Sequence, residues 1–133
     1  MNTRGTRFQC ALLCLCAALV LAAGCRKSVP MHDSGEQRID NPKLTLDVMT
    51  DVIKDAAVQR QWIVKVEKPG YIVATQETRG HRARVGISYT ANTFAIKYLD
   101  SGNLNAQDGN IHAQYNTWVR NLERDIRVRA SSR

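Results

Sequence analysis

At 133 residues the chain holds one domain, long enough to bury a core without covalent staples. Its four cysteines, Cys10, Cys14, Cys16 and Cys25, all fall in the first 25 residues, which excludes a disulfide framework in the remainder. A formal charge of +7 suits anionic partners such as nucleic acid, anionic lipid or acidic glycan, or simply a soluble basic surface.

Met1 to Phe8 carries Arg4 and Arg7 and no acid, and no charged residue occurs from Cys10 to Gly24. A basic start followed by an apolar run is the grammar of a secretory signal. The run is about 15 residues, short of the roughly 20 needed to span hydrocarbon. Small residues, Ala22, Ala23 and Gly24, then precede Cys25. Leu21-Ala22-Ala23-Gly24-Cys25 resembles the lipobox of bacterial lipoproteins, although Ala22 stands where leucine is usual in that family. The resemblance implies a signal peptide over residues 1–24, diacylglyceryl transfer to the Cys25 thiol, cleavage before Cys25 and acylation of its amine, for example with palmitate. Plain secretion or an uncleaved anchor are the alternatives. One acyl chain binds membranes marginally and two or three bind firmly. Arg26 replaces the aspartate that favours inner-membrane retention in that family, so the expected location is the periplasmic face of the outer membrane. Processing leaves 109 residues and, without Arg4 and Arg7, a charge of +5. Export argues against nucleic acid as a partner.

Residues 25–43 contain Pro30, Gly35 and Pro42 and show no period, which reads as a flexible tether with a reach of roughly 55 Å. The domain then spans residues 44–130. Leu46, Met49, Val52, Ile53, Ala56 and Ala57 form a helical stripe from Thr45, a suitable N-cap, to about Arg60. The period changes to two at Trp62–Glu67, the first of four expected strands. Lys68-Pro69-Gly70-Tyr71 is a turn, Tyr71–Glu77 a second strand, and Thr78-Arg79-Gly80-His81 another turn. Arg82–Tyr89 and Thr93–Leu99 follow as the third and fourth strands. Connections this short force an antiparallel meander. A polar loop over 100–109 leads to a last helix over about Ile111–Arg127, where Ile111, Tyr115, Trp118, Val119, Leu122 and Ile126 share a face.

The predicted fold class is therefore α+β, a two-layer αββββα domain with both helices on one face of a four-stranded antiparallel meander. Its core comprises Val52, Ile53, Trp62, Val64, Ile72, Ala74, Val85, Ile87, Phe94, Ile96, Trp118 and Leu122; Trp118 and Tyr115 could instead belong to a partner groove, but their spacing matches the core stripe. The other sheet face stays open.

That open face carries Lys65, Arg82, Arg84 and Lys97, a candidate anion-binding surface for phosphate or carboxylate groups, with Glu67 and Glu77 placed to neutralise part of it. The segment from Asp100 fails as a calcium loop, having Gly102, Asn105 and Ile111 where oxygen ligands, glycine and a bidentate glutamate belong. Asp108, His112 and Asn116, spaced by four, suggest an oriented histidine base, but no motif supplies a nucleophile. His32 and His81 are isolated in sequence, and no zinc spacing occurs.

The run from Trp62 through Pro69-Gly70 to Ile96-Lys97-Tyr98, Asp100-Ser101, Asn103-Leu104 and Ile111-His112-Tyr115-Asn116-Trp118 resembles a family of small proteobacterial lipoproteins. That resemblance implies an envelope lipoprotein and brings no activity, catalytic residue, metal or cofactor. The expectation is a non-enzymatic structural or interaction module with an envelope protein, cell-wall or lipopolysaccharide partner. The alternative is a module binding anionic glycan or lipid headgroups through the basic sheet face.

Overall fold

A computed structural model describes residues 28–133. The expected signal peptide and Cys25 lie outside them. The elements run β1 (Ser28–Pro30), β2 (Gln37–Arg38), α1 (Leu46–Gln59), β3 (Ile63–Lys68), β4 (Tyr71–Thr78), β5 (His81–Tyr89), β6 (Thr93–Gly102), β7 (Asn110–His112) and α2 (Ala113–Ser131).

Thr45 caps α1, its hydroxyl accepting from the Val48 N–H at 3.2 Å, and Asp47 sits in the first turn where the dipole favours an anion. After α1 the chain enters a meander in which β3, β4, β5 and β6 pair antiparallel in sequence order. Two-residue turns join the first three. At Gly70, φ is +81° and an added Cβ would stand 3.0 Å from the Tyr89 carbonyl oxygen, so this position demands glycine. Arg79 and Gly80 both have positive φ, the hairpin geometry that matches strand twist.

The α+β class holds, but the four-stranded sheet gains a fifth strand: the two residues of β2 pair with Phe94 and Thr93 at the free edge of β6. A separate two-stranded ribbon joins β1 to β7, with Val29 opposite Ile111. Residues 28–43 are thus a structural strap rather than a flexible tether. Asn116, buried on α2, accepts from the His32 N–H at 2.9 Å and donates to the Pro30 carbonyl at 2.8 Å. The buried Ser34 hydroxyl accepts from the Ile96 N–H at 2.7 Å and lies 3.3 Å from the Ile96 carbonyl, doing for one residue what a neighbouring strand would do. His32 meets Glu123 at 2.9 Å, and Asn41 donates to the Ala130 carbonyl at 2.8 Å. Ile39 and Leu44 sink into the core.

Ten of the twelve expected core residues are buried, and Val64 and Trp118 are half-buried at its margin. The stripes of both helices join one apolar cluster with Ile72, Ala74, Val85, Ile87, Phe94 and Ile96, the inward set of the strands. The last helix begins two residues later than its period suggests, because Ile111 and His112 belong to β7. None of the described helices is long and apolar enough to cross a membrane.

Candidate functional site

The strand register places Lys65, Arg82, Arg84 and Lys97 on the outer face of the sheet, as expected. Lys65 and Lys97 share one row across Val73 and Gly86, and Arg84 stands beside Thr75. They do not form an open cluster of cations. Arg84 donates to Asp100 at 2.7 Å, and Arg82 contacts the other oxygen of the same carboxylate at 2.9 Å without hydrogen-bond alignment. Lys65 pairs with Glu67 at 3.0 Å, while Glu77 stands in register with Arg82 but outside ion-pair distance. Lys97 is the one cation of the four with no acid within ion-pair distance among the described residues.

Asp100 reaches the outer face through a bulge. Strict alternation would place it inward with Phe94, Ile96 and Tyr98. Instead Arg84 faces Asp100 while Val85 faces Tyr98, so Leu99 is an extra residue and the side chains beyond it change face. The stretch read as a loop from Asp100 therefore begins as strand. Among the described residues, no three histidine, cysteine, aspartate or glutamate side chains are grouped to hold a metal.

The spacing of Asp108, His112 and Asn116 assembles no base. Asp108 lies in a turn before the helix, with φ +51°, and Asn116 faces the strap. His112 instead caps α2: its Nδ1 accepts from the Gln114 N–H at 3.2 Å. It stacks on His81 at 5.5 Å between ring centres. Nδ1 of His81 donates to the Asn103 carbonyl at 2.7 Å, and Asn103 returns a hydrogen bond to the Gly80 carbonyl. The two histidines, isolated in sequence, thus meet where the β4–β5 turn is tied to the segment leading into α2.

Beside this pair runs a groove at half-buried Trp118, the place of the partner groove that the sequence left as an alternative, while Tyr115 is fully buried in the core. Two hollows of about 360 Å³ each share Thr78 and Trp118. One extends past Arg79, His81, His112 and Gln114, the other past Gln76, Asn121, Gln61 and Trp62 to Gln59 and Arg60. These volumes fall in the usual range for small-ligand sites. Among the described residues lining the two hollows there is no carboxylate. Arg60 is held by Asp125 at 2.6 Å, an ion pair that ties α1 to α2. The hydrogen bond from Arg60 holds the Asp125 carboxyl below its usual range, against the opposing effect of partial burial. Trp118 offers part of its indole, while Gln76 is buried to 5% exposure. The Gln76 amide nitrogen bonds the Thr78 hydroxyl at 3.1 Å, and its oxygen has no hydrogen-bond partner among the described residues. The groove can therefore offer an aromatic face, neutral donors and acceptors and the Arg79 guanidinium, with one unpaired acceptor buried behind its wall. A second sequence signal, beside Trp118, was Gln76 on the inward phase of β4, between Ala74 and Thr78, where an apolar residue belongs.

No family model, curated protein or solved structure matches this chain.

Proposed function

We propose that the chain is a non-enzymatic interaction module of the bacterial cell envelope, anchored by lipid on Cys25 at the periplasmic face of the outer membrane, and that its interaction surface is the Trp118 groove. The observation that carries the anchor is the apolar run ending in Ala22-Ala23-Gly24-Cys25. A structural fact gives this anchor a consequence. Only two residues, Arg26 and Lys27, separate Cys25 from Ser28, where the chain is pinned against β7, so the leash spans about 10 Å at full extension. An acylated Cys25 would hold the β1–β7 ribbon against the headgroups rather than let the domain range freely. The test is fractionation of cells producing the full chain or Cys25→Ser. Wild type is expected in the outer-membrane fraction, with the variant unprocessed or released. Equal distribution of the two would overturn the anchor.

The anionic-ligand reading of Lys65, Arg82, Arg84 and Lys97 has the unshared Lys97 in its favour and Asp100 against it. A double change, Arg82→Ser with Arg84→Ser, separates the two readings. The groove reading expects retention on cell-wall sacculi to be unchanged, and the sheet-face reading expects loss of a salt-sensitive retention on lipopolysaccharide or sacculi.

A further inference from the structure

We propose that the Trp118 groove binds a neutral saccharide carrying an acetamido group, as in N-acetylated cell-wall sugars. The inference deepens the interaction-module reading but does not rest on the lipid anchor. Three features carry it. A half-buried indole shared by both hollows can stack against the C–H face of a sugar ring. Neutral groups on either side, Thr78, Gln114, Asn121 and His112, can act as donors or acceptors, as sugar hydroxyls require. Gln76 adds the specific element: its amide oxygen is unpaired and covered, which is unfavourable unless something donates to it, and a turn of the side chain into the groove would let an acetamido N–H do so. The lining holds no carboxylate and Arg60 is already paired to Asp125, so the charge it can offer is confined to Arg79, at the His81 end and away from Gln76.

The experiment is calorimetric titration of the full chain, held in a detergent without a sugar headgroup, with N-acetylglucosamine tetramer and with cellotetraose. Saturable binding of the first and at least tenfold weaker binding of the second is expected. Gln76→Met keeps the side-chain volume and removes the orphan acceptor, so it should weaken binding by about tenfold or more while leaving the melting temperature equal or higher. That combination separates a ligand acceptor from a merely structural amide. Trp118→Phe should weaken binding with the fold intact. The proposal is overturned if the N-acetylated tetramer gives no saturable heat, if cellotetraose binds equally well, if Gln76→Met binds normally, or if Gln76→Met unfolds. Loss of lipid attachment at Cys25 would leave this titration unchanged, so the two readings fail separately.

Discussion

Single polar atoms decide how the strap is held. Replacing Ser34 by alanine removes both contacts to Ile96 and leaves a buried backbone N–H unpaired, which should cost about 1–3 kcal/mol in urea denaturation. Asn116→Ala should cost a similar amount, because one side chain serves both Pro30 and His32. At the core side of α2, the Tyr115 hydroxyl is buried with no hydrogen-bond partner among the described residues, and burial pushes its pKa well above the usual value. The folded state therefore keeps this proton while the unfolded chain releases it near pH 10. Stability that is intact below pH 10 should fall above it. Tyr115→Phe should remove about 1.4 kcal/mol per pH unit from that slope, measured by denaturation at a series of alkaline pH values.

Between elements, the Arg60–Asp125 pair links the end of α1 to α2. Asp125 titrates below its ordinary value when folded, so its contribution is present above about pH 4 and is lost as pH falls through the lowered value. Asp125→Asn should flatten that part of the acid limb of the stability curve. The β3–β4 turn offers a backbone test: Gly70→Ala meets both a positive φ and the Tyr89 carbonyl, and should destabilise by roughly 1–3 kcal/mol. These turns are why the meander was legible in the sequence, since Pro69-Gly70 and Arg79-Gly80 punctuate runs of clear alternation. The strap was not legible because its apolar contacts with the core, Met31 and Ile39, follow no period and its order comes from partners more than 50 residues away. The bulge at Leu99 was hidden for another reason: Asp100, polar on the inward phase, reads as the end of the strand rather than as a change of face within it. The four sheet-face cations were placed correctly by period, but the acid that occupies two of them was not. The groove needs Trp118, Gln76, His81 and His112 from separate elements, and only the fold brings them together.

At the scale of the molecule, the strap changes what an anchor at Cys25 would do. A free tether would separate binding from attachment. A chain pinned from Ser28 onward couples them, because the ribbon formed with Ile111 leads directly into His112 and the groove. The proposed lipid would set the distance of the groove from the bilayer as well as the compartment. The most direct measurement is the intact mass of the protein extracted from native membranes, with sequencing of its first peptide. Cleavage before Cys25 with a diacylglyceryl thioether and an N-acyl chain on that residue is the expected result. A mature protein that begins elsewhere, or a Cys25 without lipid, would contradict it.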